Sequence, residues 1–172
     1  MDEIDEYEIR NKNIFHFPVK DQEELNNALF YMHSLYEYVF SGHIGAPVHE
    51  KLKNGARVLE FGCGTGTWVT EVATEYPNTE FYVVDFNISA SNADNDNIKF
   101  IKCDILKKLP FPDNEFDYIF SRDQYNFYGK NTFYEYLSEI FRLLKPGGWL
   151  EVEYILNYHT VNGPIITRMV NA

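Results

Sequence analysis

Val58-Leu59-Glu60-Phe61-Gly62-Cys63-Gly64-Thr65-Gly66-Thr67 decides the fold of this chain. It reads as a short apolar strand carrying one acid, a loop with glycine at every second position, and the start of a helix. A strand, glycine loop and helix in that order place a nucleotide-type cofactor at the carboxyl end of the first strand of an α/β sheet. The spacing is Gly-x-Gly-x-Gly, whereas a dinucleotide fingerprint is Gly-x-Gly-x-x-Gly, built so that a helix N-terminus cradles a pyrophosphate. Loop positions without side chains let the backbone approach a ligand closely. Glu60, just ahead of Gly62, adds a negative charge suited to a cationic group, and Cys63 reads as a small residue between two glycines.

Helices and strands alternate outward from this stretch. On its N-terminal side, Asp21-Gln22-Glu23-Glu24 is a capping box. Leu25, Ala28, Leu29, Met32, Tyr36, Val39 and Phe40 follow at helical spacing, with Gly42 as the stop. Pro47 opens a second, short helix through Leu52 that Gly55 ends. Strand one is Arg57 to Phe61, and Trp68, Val72, Ala73 and Tyr76 mark the buried side of the helix after it. Glu80 to Val84 is strand two, closed by Asp85, and Ile98 to Lys102 is strand three, closed by Cys103 and Asp104. Phe116 to Phe120 is strand four. Thr132-Phe133-Tyr134-Glu135 is a second capping box, opening a helix that runs through Leu144. Pro146-Gly147-Gly148 stops that helix ahead of strand five, Trp149 to Ile155. Such alternation predicts an α/β, Rossmann-like sheet, mostly parallel, with right-handed crossovers and helices on both faces.

Composition narrows the function. With 172 residues, 45% of them hydrophobic, the chain suits one core. A net charge of -11 and the lack of Lys/Arg clusters argue against a nucleic-acid partner. The two cysteines, Cys63 and Cys103, have no metal-ligand or redox spacing and read as free thiols of a reducing compartment. No segment is apolar for long enough to cross a membrane, so no membrane partner is expected. The acidic start, Met1-Asp2-Glu3-Ile4-Asp5-Glu6, is unlike a leader peptide, and the default location is the cytoplasm, with the nucleus as alternative.

Four signals stand in order at successive strand ends: Glu60 with Gly62, Gly64 and Gly66; Asp85; Asp104; and Leu143-Leu144-Lys145-Pro146-Gly147-Gly148-Trp149-Leu150. Asp85 falls where an acid accepts hydrogen bonds from ribose hydroxyls. Asp104 falls where a carboxylate could take one from an adenine amino group. Each alone has a plain structural alternative as a cap, a loop acid or a turn; the order makes them specific. From about Pro47 to Glu153 the chain resembles the front part of a class I S-adenosylmethionine-dependent methyltransferase. It is similar in particular to the fungal methyltransferase-domain group around secondary-metabolism regulators and trans-aconitate methyltransferases. Ala46-Pro47-Val48-His49-Glu50, Gly62 to Trp68 and Leu109-Pro110-Phe111-Pro112-Asp113-Asn114-Glu115-Phe116-Asp117 carry that likeness.

The resemblance implies that Glu60, Gly62, Cys63, Gly64 and Gly66 hold the methionyl part of S-adenosylmethionine and that Asp85 binds its ribose. It implies that Asp104 with Ile105 frames adenine, and that Ser121 and Arg122 line the floor near the sulfonium. Phe86 offers its ring either to adenine or to the core. The implied organisation is a flexible acidic N-terminus (1–20), an N-terminal helical lid (21–55) and a methyltransferase core (56–172). The reaction would be methyl transfer to a small-molecule acceptor. No metal site is expected, and no catalytic base is assigned: His33, His43 and His49 lack partners at a telling spacing, and Tyr125, Tyr128, Tyr134 and Tyr136 read as core as readily as an acceptor pocket. The family's sheet has seven strands and this chain supplies five, with Gly163 to Val170 resembling the opening of the next helix. Strand five would then carry an unpaired edge, suited to a homodimer. The competing reading is a non-catalytic module that binds the same cofactor or a protein partner. A nicotinamide dehydrogenase is disfavoured by the glycine spacing.

Overall fold

The computed structural model describes residues 21–86, 88, 95–105, 107–124 and 130–154, with only the backbone of 130–132. The expected flexible N-terminus, the Gly163 to Val170 segment, Tyr125 and Tyr128 lie outside the described residues. The elements in order are α1 (Gln22–Phe40), α2 (His49–Lys53), β1 (Arg57–Phe61), α3 (Thr67–Glu75), β2 (Glu80–Asp85), β3 (Ile98–Lys102), β4 (Phe116–Arg122), α4 (Lys130–Leu143) and β5 (Leu144–Glu153). The five strands form one parallel sheet in the order β3-β2-β1-β4-β5. The order reverses between β2-β1 and β1-β4, so a crevice opens at the carboxyl end of β1, beside the glycine loop.

Because strand side chains alternate, the sheet has two cores. On one face Val58, Phe81, Val83, Tyr118 and Phe120 pack against Leu52 of α2 and Trp68, Val69 and Val72 of α3. On the other, Leu59, Phe61, Val84 and Ile119 pack against Tyr136, Ile140 and Leu143 of α4. Trp68 anchors the first core: its ring stacks on Phe120 at 3.9 Å and its indole N–H donates to the His43 carbonyl at 2.8 Å. On the second face Arg142 donates to the Phe111 carbonyl and to Asp113, both at 2.8 Å, pinning the Leu109-to-Asp113 turn onto α4.

Several boundaries depart from the sequence reading. Asp21 does cap α1, its Oδ1 accepting the Glu24 amide at 2.8 Å. The left-handed residue ending that helix is Ser41 (φ 59°), one position before Gly42. α4 starts at Lys130, so Thr132 lies inside its first turn rather than capping it. β5 follows α4 without a gap: Leu144 pairs with Phe116, and pairing resumes at Trp149 opposite Tyr118. The Lys145-to-Gly148 turn is therefore an irregularity within the strand, with Gly147 at φ 75°. Strand four extends through Ser121 and Arg122.

Leu29 of α1 borders the glycine loop, 3.7 Å from where a Cβ on Gly64 would stand. Only His33 and Tyr36 of the helix are buried, whereas Phe30, Tyr31, Leu35, Tyr38, Val39 and Phe40 are exposed. The segment after α1 is clasped by Glu151 of β5. Its carboxylate accepts the Gly45 and Ala46 amides at 2.9 Å and the Tyr118 hydroxyl at 2.8 Å.

Candidate functional site

The glycine loop turns left-handed three times, with φ of 78° at Gly62, 55° at Gly64 and 74° at Gly66, the N-cap of α3. L side chains rarely adopt this conformation. At Gly62 space is also lacking: a Cβ there would collide with the side-chain amide of Gln124. Gln124, just past β4, is buried and donates to the Arg122 carbonyl at 3.2 Å. Sequence reading missed it, since nothing local marks a glutamine as the roof over a loop so distant along the chain.

Asp85 holds the loop from the side. Its Oδ2 accepts the Cys63 amide at 2.8 Å and the Gly64 amide at 3.3 Å. The end of β3 adjoins it, with the Cys103 amide donating to the Asp85 carbonyl at 3.0 Å. Asp104 follows, half-buried and paired with Lys107 at 3.3 Å. Ile105 packs at the margin of the α4-side core, and Phe86 is exposed beyond Asp85. The acids expected at the first three strand ends thus stand side by side along the carboxyl edge of the sheet. Cys63 is buried, and burial with the charges of Glu60 and Asp85 pushes its thiol well above the usual range.

Glu60 is 3% exposed, and its Oε2 is buried without a hydrogen-bond partner. Burial raises its pKa to about 8, opposed by the Arg122 charge and assisted by Asp85. Arg122 shares that side of the sheet, its guanidinium 5.1 Å from the Tyr36 ring centre and 3.9 Å from the Glu153 carboxylate. Glu153 is also buried, and desolvation lifts it to about 8. The Tyr36 hydroxyl donates to Asp123, and His33 accepts from Arg122 at 3.0 Å through Nδ1. Ser121 is separated from this group. Its side chain is fully buried on the α4 side, where its Oγ accepts the Tyr136 hydroxyl at 2.6 Å. Alternation along β4 sends neighbouring side chains to opposite faces, so Ser121 and Arg122 point to different sides of the sheet.

A crevice at the strand reversal, lined by a glycine loop and strand-end acids, defines a Rossmann-like cofactor-binding class. Residues 58–148 match the methyltransferase domain family, and the chain belongs to that family. It is 32% identical over 124 residues to methyltransferase str3 of Strobilurus tenacellus, covering 72% of this chain and 43% of that protein. It is 32% identical over 111 residues to the demethylmenaquinone methyltransferase of Listeria monocytogenes, covering 58% of this chain and 45% of the relative. The structure of PKMT2 from Rickettsia typhi in complex with AdoHcy is similar at a TM-score of 0.51 and 28% identity, over 59% of this chain and 21% of that one. The chain thus spans less than half the length of these relatives.

Proposed function

We propose that this chain forms the cofactor-binding part of an S-adenosylmethionine-dependent methyltransferase acting on a small-molecule acceptor. The observation that carries the proposal is the pairing of a buried acid, Glu60, whose Oε2 lacks a partner, with a left-handed glycine loop gripped by Asp85. The residues fit that cofactor. An ammonium donor satisfies a buried, partnerless carboxylate oxygen, which otherwise costs free energy. When bound, S-adenosylmethionine supplies a methyl group on a sulfonium that is already activated for displacement.

Glu60 and the loop from Gly62 to Gly66 would hold the methionyl end. Asp85, at the end of β2 beside the glycine loop, would accept the ribose hydroxyls. Asp104 and Ile105 would frame adenine, with Phe86 beside them. Arg122 would border the sulfonium side, while Ser121 would support it from the opposite face through Tyr136. Residues 21–55 would act as a lid that keeps water out, and alignment of the acceptor would supply most of the rate. The exposed aromatic side chains of α1 suit an apolar or aromatic acceptor, as does the likeness to an enzyme named for demethylmenaquinone. The outer edge of β5, with Trp149 and Val152 exposed, suits a second copy or further sheet. Free cysteines suit the cytoplasm or nucleus.

Calorimetric titration with S-adenosylhomocysteine, with Asp85→Ala as control, tests the cofactor reading. Micromolar binding weakened at least tenfold by the substitution supports it. No binding by a folded chain overturns it.

A further inference from the structure

His33 lies at the centre of a hydrogen-bond chain that crosses three elements. Its Nδ1 is 3.0 Å from an Arg122 amino nitrogen and its Nε2 is 2.7 Å from Glu71 Oε2. Arginine only donates, so Nδ1 must carry the lone pair and Nε2 the proton. The bonds run from Arg122 of β4 to His33 of α1 and on to Glu71 of α3. His43 stacks on the His33 ring at 5.7 Å, and its Nε2 is 3.6 Å from Glu71 and 3.9 Å from Glu37.

His33, His43 and Glu71 present donor atoms within 4.8 Å of one another, close enough for a zinc ion to bridge. The hydrogen bonds argue for a different role. A metal on Nε2 would force the His33 proton onto Nδ1, facing the Arg122 guanidinium. The His43 Nδ1 is buried without a partner, so it lacks the acceptor that usually orients a metal-ligating imidazole.

We infer that His33, in its neutral form, is a positioning residue that fixes the Arg122 guanidinium and fastens α1 over the glycine loop, so that protonation of His33 releases both. A second proton can enter only at Nδ1, where it replaces a hydrogen bond from Arg122 with two donors facing each other. Glu71, half-exposed at 42%, favours the imidazolium, whereas Arg122, His43 and burial oppose it. Desolvation is the largest of these influences, and the His33 pKa lies below its ordinary value of 6.5. Because the docked imidazole binds a proton less readily than a solvated one, docking of α1 weakens as pH falls below that ordinary value. The effect on cofactor affinity rests on the reading that Arg122 borders the cofactor site; the effect on α1 does not.

Hydrogen exchange of residues 22–40 in the ligand-free chain, corrected for intrinsic rates, tests this between pH 7.5 and pH 5. We expect α1 protection to be lost progressively over that range, with the loss setting in below pH 6.5. In His33→Gln, an amide that can both accept from Arg122 and donate to Glu71 without titrating, protection should be flat with pH. Glu71→Gln, at a half-exposed position, should deepen the fall below pH 6.5, because it removes the charge that favours the imidazolium in the docked helix. Unchanged protection across the range in the parent chain overturns the inference, as does the same pH slope in both variants. S-adenosylhomocysteine titrated at both pH values separates the two readings. A pH-dependent α1 with no binding at either pH refutes the cofactor assignment and leaves the role of His33 standing.

Discussion

The Asp85 carboxylate and the Cys63 amide are 2.8 Å apart, so the end of β2 grips the loop that leaves β1. An ionised acceptor makes a hydrogen bond roughly twice as strong as a neutral one. Asp85→Asn keeps an oxygen for the Cys63 amide and loses the charge, whereas Asp85→Ala loses both. We expect S-adenosylhomocysteine affinity to fall in the order parent, Asn, Ala, with the thermal midpoint in the same order. Calorimetry and a thermal melt read the two quantities, and equal affinities in all three chains would exclude Asp85 from the site.

Glu60 gives a pH signature of the opposite sign to most acids. Its folded pKa of about 8 lies above the ordinary 4.5. Between those values the unfolded chain has released a proton that the folded chain retains, so this group reduces stability as pH rises through the window. Each pKa unit corresponds to about 1.4 kcal/mol. Glu60→Gln is expected to raise the thermal midpoint of the ligand-free chain at pH 8, to change it little at pH 4.5, and to weaken S-adenosylhomocysteine binding. Melts at the two pH values, with a titration at pH 8, check all three outcomes.

Gly62 faces two separate demands, a φ of 78° and the nearby Gln124 amide. Gly62→Ala should destabilise the chain in urea by more than the about 1–3 kcal/mol that a strained backbone residue costs, because the collision with Gln124 adds to it. Adding Gln124→Ser removes the collision and leaves the conformational strain. The double variant should therefore recover only part of the loss. Full recovery would show that crowding alone selects glycine.

Trp68 joins packing to a hydrogen bond. Trp68→Ala removes a fully buried ring stacked on Phe120 and should cost about 3–5 kcal/mol. Trp68→Phe keeps a ring and leaves the His43 carbonyl without its donor, so it should cost less, about 1–3 kcal/mol. Urea unfolding of both variants measures the difference.

The strands and the glycine loop were legible because their signals are local. β1 and β3 have the bounds that apolar runs and turn residues predict, and Asp85 closes β2 as read. Contacts between residues far apart in sequence were not legible. His33 and Arg122 are 89 positions apart, and Gly45 and Glu151 are 106 apart. No periodicity marks such pairs. The irregular start of β5 was hidden for another reason. Pro146-Gly147-Gly148 reads equally well as a loop between elements or as a kink inside one, and only the pairing of Leu144 with Phe116 distinguishes them. β4 continues two residues past the apolar run that ends at Phe120, because Ser121 and Arg122 keep pairing with Val152 and Glu153.

The clasp of Glu151 on Gly45 and Ala46 turns α1 into a lever with a fixed fulcrum. The helix is tied down just past its carboxyl end, so once its middle is released a swing about residues 41–46 would keep the clasp, whereas sliding would break it. Nineteen residues at about 1.5 Å each make an arm roughly 28 Å long, and a 10° swing carries its Gln22 end through roughly 5 Å. Residues near the fulcrum would hardly move, and access to the glycine loop would be controlled from the far end of the arm.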